Sequence, residues 1–537
     1  MKKIQLTSAV ITMSTVVFIT GCVNPSLSVS SSSSFISQSS SSVISSSSES
    51  SISSVSSSSS ESSVSSSSSS VSSSTLKILT INDFHGAIEP GTYNQGIARI
   101  GEFMINERAK SSQDTIIIAN GDIFQGTALS YQSRGGLIVD VFNHIGIDAM
   151  TIGNHEFDWG VDDIQAFHDG NLDNGEANFP FLGANIYEEA TDSMVDWLDA
   201  YQMIDFGEYQ VGIIGLMGYG LESSISTSII APYDFISPVT IAHDIATDLR
   251  ANHGVDFIVA AVHGRDDYTN SQLAQFGESA RIDAILNGHT HQEYTQNING
   301  SDSRVVPVIQ SGANGSHIGE LIFDVTTNQL PYYTSKRNIT VSSSMTENST
   351  IVSMRDAAAL QVAPIIYEVL GEAGESVDRY DAGNWAADVI KHAFTGVDVA
   401  AVNMGGIRSA GFPINDGQEV TYANIFAIMP FDNYVKTVTL TGSQLIDVIS
   451  NNTDGLVFDY DLDTSALTIN GEAIVSSQTY RFATVDYIFD KTKYPFTTGV
   501  NPEFTGILLR ELLVQDVRLT GTTGWYPSQG AVITPLP

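Results

Sequence analysis

At 537 residues, with 42% hydrophobic and 9% aromatic side chains, the chain is too long for one ordinary domain and apolar enough to build two folded cores. Its 60 acidic against 23 basic residues give a formal charge of −37, which repels polyanions and excludes stable binding to a nucleic-acid polymer or an anionic membrane surface. The single cysteine excludes an intrachain disulfide.

Lys2 and Lys3 followed by an apolar stretch to Ile19 read as an export signal, too short and wrongly flanked for a spanning helix. It ends at Ile19-Thr20-Gly21-Cys22, which resembles the bacterial lipobox. An ordinary cleaved signal has the same outline. The resemblance implies a lipoprotein signal peptide over 1–22 and lipidation of Cys22, so that the protein is exported and lipid-anchored to a bacterial membrane, facing periplasm or cell surface. Residues 23–75 are almost wholly serine from Ser28 to Ser74 and cannot bury enough apolar surface to offset ordering entropy, which predicts a disordered tether.

From Leu76 onward, β-branched runs alternate with amphipathic stretches, the pattern of strands alternating with helices. Strands are predicted at 76–81, 115–119, 149–152, 257–262, 284–286, 306–310 and 320–325, with helices over 97–108 and 137–145. This unit spans 76–340. A linker over 341–371 carries a connecting helix at 350–370, kinked at Pro364. A second unit over 372–537 has strands at 397–402, 436–440 and 480–484.

Five of the predicted strands are followed at once by polar residues of metal-binding type: Asp83-Phe84-His85, Gly121-Asp122, Gly153-Asn154-His155, His263-Gly264 and Gly288-His289-Thr290-His291. Ligands of open α/β sheets bind beyond the carboxyl ends of strands, so five such ends can converge on one site. Five of the eleven histidines fall within these motifs, a clustering that chance explains poorly. Carboxylates, an amide oxygen and imidazoles without a thiolate suit a pair of divalent cations such as Zn or Mn, and Asp122 could bridge both. Two such ions can clamp an in-line phosphoryl displacement, which points to hydrolysis.

These motifs, in this order and with Glu156 following His155, resemble the calcineurin-like metallophosphoesterases. With Asn403-Met404-Gly405-Gly406-Ile407-Arg408 in the second unit, they more narrowly resemble the 5′-nucleotidases. The resemblance implies an α/β fold, a four-layer αββα sandwich followed by a smaller α/β substrate-binding domain. It implies one metal on Asp83, His85, Asp122 and His291, and a second on Asp122, Asn154, His263 and His289. His155 would be the catalytic imidazole and Asp158 its orienting carboxylate, although Asp158 also stands where a helix cap ahead of Val161 would. It further implies that the two domains can rotate relative to each other.

By the same resemblance, Asn403 and Arg408 contact substrate, while Phe431 and Tyr487 stack a nucleobase. Beyond Tyr487 the family's glycine-rich turn, with its ribose-holding aspartate, is missing from residues 488–496, so Asp490 is not given that role. The arginine expected ahead of Gly383-Asn384 is off register at Arg379. The implied activity is hydrolysis of nucleotide phosphomonoesters in nucleotide catabolism. Cyclic-nucleotide phosphodiesterase, UDP-sugar hydrolase and non-catalytic surface binding of a ligand are the alternatives. The expected partner is a small phosphoester, and the lipid anchor is the only expected membrane contact.

Overall fold

A computed structural model describes residues 75–91, 94–171, 175–301, 303–325 and 332–536. The expected signal peptide, Cys22 and all of the expected tether except Thr75 lie outside the described residues. Among the described residues no helix is long and apolar enough to cross a membrane.

Five strands carry the motifs: β1 (Thr75–Ile81), β2 (Asp114–Asn120), β3 (Ala149–Thr151), β4 (Phe257–His263) and β5 (Ala284–Asn287). β1, β2 and β3 are parallel neighbours in one six-stranded sheet, and β4 and β5 in a second. The first sheet is flanked by His317–Asp324 and Tyr332–Thr340 on one side and Phe181–Leu182 on the other. The second runs in the order Glu293–Asn299, Val305–Ser311, β5, β4, Gln210–Met217, Tyr201–Asp205.

The two sheets pack face to face. Leu76, Ile78, Ile116 and Ile118 meet Val211, Phe257, Val259 and Ala261 in one buried cluster. The alternate residues Leu79, Ile81, Ile117 and Ala119 turn the other way, onto helices Ile97–Arg108 and Gly136–Ile145. Ile258, Ala260 and Val262 likewise cover helix Pro238–Asn252. The result is helix, sheet, sheet, helix, and each buried aliphatic side chain contributes about 1.5–3 kcal/mol. Burial on both faces is why these strands read as unbroken apolar runs.

The connecting helix is shorter than its pattern suggests. It begins at Ser349, where Asn348 Oδ1 accepts from the amides of Thr350 and Ile351, and ends at Ile366. Pro364 lacks the amide that would continue the ladder, and Val369–Glu372 instead pairs with Glu419–Thr421 as a strand. Beyond it a five-stranded mixed sheet runs Leu456–Phe458, Val399–Asn403, Thr479–Val485, Tyr434–Thr441, Val500–Leu508. Trp385, Phe426, Phe482 and Phe496 fill the core around it, all fully buried.

Candidate active site

The carboxyl ends of β1 to β5 meet, and all seven residues read as metal ligands lie together there. Donor atoms of Asp83, His85 and His291 fall within 4.8 Å of one another, as do those of Asp122, His263 and His289. His85 Nε2 faces His291 Nε2 at 3.0 Å, and Asn154 Oδ1 lies 2.9 Å from His289 Nδ1. Five of the seven, Asp83, His85, Asp122, His289 and His291, hold left-handed backbone with φ between 49° and 71°. Non-glycine residues rarely adopt it, and such strain collects where geometry serves a site.

The glycines of the motifs make this closeness possible. A Cβ on Gly288 would lie 2.7 Å from His263 Nδ1, and one on Gly153 would collide with the Asp122 carboxylate. Glu156 then locks two strand ends together, its carboxylate accepting from the amides of Asp122 at 2.9 Å, Ile123 at 2.6 Å and Gly153 at 2.7 Å. The sequence shows Glu156 only as a motif letter. Its clamp joins residues about thirty positions away, which no local pattern reports. Glu156→Gln turns one acceptor into a donor facing N–H groups. It should cost about 1–3 kcal/mol, read as a lowered Tm, and weaken divalent-cation affinity by roughly 10–100-fold in a titration.

Among the buried atoms without a hydrogen-bond partner, Asp122 Oδ2 and His263 Nε2 face each other at 3.2 Å. Ring nitrogens on the far side are satisfied, His85 Nδ1 by Gln125 O at 3.0 Å and His263 Nδ1 by Asn120 O at 2.9 Å, which turns each Nε2 toward the cluster. Burial drives His289 and His291 down to about 4 and His85 well below the ordinary imidazole range, so all three offer lone pairs at neutral pH. Burial also lifts Asp83 to about 7, with the charge of Asp122 adding to it against the pull of His263. At His263 burial opposes protonation, yet the Asp122 carboxylate raises the imidazole to about 10. A cation would replace that proton. Orphaned donors, neutral imidazoles and hard oxygens fit divalent cations.

His155 Nδ1 sits 2.7 Å from Asp158 Oδ2, and the His155 amide donates to Asp122 Oδ1 at 2.8 Å. Burial disfavours the imidazolium, but the carboxylates of Asp158 and Asp122 outweigh it and raise His155 above the ordinary range. Asp158 does not cap the following helix, Val161–Gln165, because Gly160 stands at that position.

The second domain reaches into the same place. Arg408, at the end of the glycine turn after Val399–Asn403, shares a cavity of about 190 Å³ with His85, His291 and Arg379. Arg379, off register in the sequence, lines this cavity too. It opens helix Arg379–Ala393 and its guanidinium holds the carbonyls of Ile407, at 2.6 Å, and Met404. Asn403 is buried and shapes the turn by accepting the amide of Gly406 at 2.9 Å. Phe431 lies nearly parallel to His155, with centroids 5.6 Å apart at 24°, and Arg408 stands 5.5 Å over its ring. Tyr487 is covered by Lys491 instead, and among the described residues no ring contact joins it to Phe431. Within residues 488–496, Ile488, Phe489, Tyr494 and Phe496 are buried in the core, Phe496 stacked on Phe482 at 5.0 Å, and Asp490 is paired to Lys436 at 2.7 Å.

Residues 76–293 match the family model of the calcineurin-like phosphoesterases, and residues 368–498 match that of the 5′-nucleotidase C-terminal domain. A cell wall protein of Listeria monocytogenes, Lmo0130, is 24% identical across 77% of this chain and 63% of its own length. The chain thus spans less than two thirds of that relative. A 5′-nucleotidase of Vibrio vulnificus is 23% identical over 70% of this chain and 75% of its own. The solved 5′-nucleotidase precursor of Thermus thermophilus shares the fold, with a TM-score of 0.68 and 22% identity over 83% of this chain and 97% of that one. The chain thus carries a calcineurin-like phosphoesterase domain ahead of a 5′-nucleotidase C-terminal domain.

Proposed function

We propose that the protein hydrolyses phosphomonoesters of nucleotides as a two-metal 5′-nucleotidase, and the observation that carries this is the orphaned Asp122–His263 pair, with Arg408 within reach of the Asp122 charge. In this reading Asp83, His85, Asp122 and His291 hold one cation, and Asp122, Asn154, His263 and His289 the other. Bound there, the cations supply charge neutralisation at the phosphoryl group and acidify water for attack. Arg408 and Arg379 draw the phosphate into the cleft, Arg408 offering it a fork of N–H donors. His155, with Nδ1 engaged by Asp158, presents Nε2 to the transferring phosphoryl oxygen and holds a proton there as charge develops. Where the groups are buried, as at Asp122 and His263, water is excluded and each interaction is strengthened.

Nucleotide preference is supported by the C-terminal domain and by the naming of the Vibrio and Thermus relatives as 5′-nucleotidases. Phe431, on this account, buttresses the His155 ring. Export and surface anchoring through Cys22 belong to the same proposal, supported by the signal-like N-terminus and the cell wall relative. The test is phosphate release from AMP, a 2′,3′-cyclic nucleotide and UDP-glucose with added Mn²⁺ or Zn²⁺. AMP should be turned over best. Efficient cleavage of either other substrate with AMP untouched would overturn the monoesterase reading. Arg408→Ala should lower kcat/KM for AMP by roughly 10²-fold or more, two charge-assisted hydrogen bonds being lost. Lysine at that position should recover only part, since it cannot reproduce the fork.

A further inference from the structure

A second cavity, of about 440 Å³, opens directly off the phosphate-side cavity and shares His291, Asn314, Ser409 and Ala410 with it. One continuous cleft therefore runs from Arg379 and Arg408 to the pair formed by Glu293 and His317. These two side chains stand at the first residues of strands Glu293–Asn299 and His317–Asp324, which belong to different sheets. His317 Nε2 lies 3.4 Å from Glu293 Oε2, and its Nδ1 lies 3.0 Å from Ser316 Oγ.

The loop between the cavities is held in place. The Asn314 amide donates to Asp83 O at 2.7 Å, Gly312 O accepts from Asn82 Nδ2 at 2.8 Å, and Asn314 keeps a left-handed φ of 52°. Ser316 and His317 are thus fixed relative to the metal-type residue Asp83.

The lining decides what fits. It contains no lysine, arginine, phenylalanine, tyrosine or tryptophan. A second phosphate would meet the Glu293 carboxylate with no lysine or arginine in the lining to offset it, and a nucleobase would find no phenylalanine, tyrosine or tryptophan on which to stack. A carboxylate, the imidazoles of His291 and His317, two serine hydroxyls and an amide instead match alcohol groups, which both donate and accept. The volume lies within the range of small-molecule sites. In residues 488–496, where the resemblance expects a turn that holds ribose, Ile488, Phe489, Tyr494 and Phe496 are packed in the core and Asp490 is paired to Lys436.

We infer that this cavity is a sugar subsite, in which Glu293, Ser316 and His317 take the hydroxyls of a pentose whose phosphate lies between His85, His291 and Arg408. The inference rests on the nucleotide-hydrolase reading above and names where that substrate's sugar is recognised. The base then extends toward the cleft mouth and is weakly selected.

The experiment compares kcat/KM for AMP with that for 2′,3′-dideoxy-AMP, and for ribose 5-phosphate with its 2-deoxy analogue, in the metal-loaded full chain. The natural protein should favour the hydroxylated member of each pair by about tenfold or more, the worth of a hydrogen bond to a charged partner. Glu293→Gln and His317→Ala should bring both ratios to within about twofold of one, chiefly through KM. Ser316→Ala, a gentler change, should move them partway, and melting temperatures check folding. Ratios unchanged in all three variants, ratios near one in the natural protein, or equal losses on both members of a pair would each overturn the subsite. Poor turnover of AMP with the ribose 5-phosphate pattern intact would instead defeat the nucleotide reading and leave the sugar subsite standing.

Discussion

Asp122→Ala should reduce phosphate release by well over 100-fold and lower the bound metal found by elemental analysis. The carboxylate is 1% exposed, one oxygen receiving the His155 amide at 2.8 Å and the other facing His263 Nε2 without a hydrogen bond. Residues that merely orient ligands are worth about 10–100-fold in metal affinity or activity, so a carboxylate that belongs to both proposed ligand sets should exceed that range. Its loss also removes the countercharge that keeps His263 protonated when no cation is bound. Asp122→Asn separates shape from charge, because the amide fills the same space and keeps one neutral oxygen. If charge is what matters, Asn should be nearly as damaging as Ala. Near-normal turnover in either variant would remove Asp122 from the shared position.

How far the site was legible follows from distance along the chain. β1, β2 and β4 are buried on both faces, so their apolar runs and the polar residues just beyond them are local signals, and helix Ile97–Arg108 falls where its periodicity places it. The strand at Val369–Glu372 carries no comparable signal. It exists because Glu419–Thr421 offers a partner some fifty residues away, and the helical pattern runs on past Pro364 to hide it. Arg379 is off register only when counted along the sequence. At the first turn of its helix it reaches the carbonyls of Met404 and Ile407, so the folded chain returns it to the cleft. The contact between His155 and Phe431 is likewise tertiary. A domain interface supplies it, helped by Gln125 Nε2 donating to Pro430 O at 3.0 Å and Tyr131 Oη to Asp432 at 3.1 Å.

His155→Ala should lower kcat by roughly 10²–10⁴ while leaving KM and metal content close to normal. The contact between residue 155 and Asp122 runs through the backbone amide, which alanine retains, so the shared carboxylate keeps its orientation. What disappears is the Nε2 donor, and a group that acts on developing charge affects the transition state more than the bound substrate. Asp158→Asn should be milder, since an amide oxygen can still accept from Nδ1 although it no longer favours the imidazolium. Phe431→Ala should be milder still, removing a ring contact of about 0.5–1.5 kcal/mol from one face of the imidazole. The order His155, Asp158, Phe431 in loss of kcat, at constant metal content, is the signature of one positioned imidazole and its supports. Metal loss in His155→Ala would recast the residue as a ligand, and a rise in KM alone would recast it as a substrate-binding group.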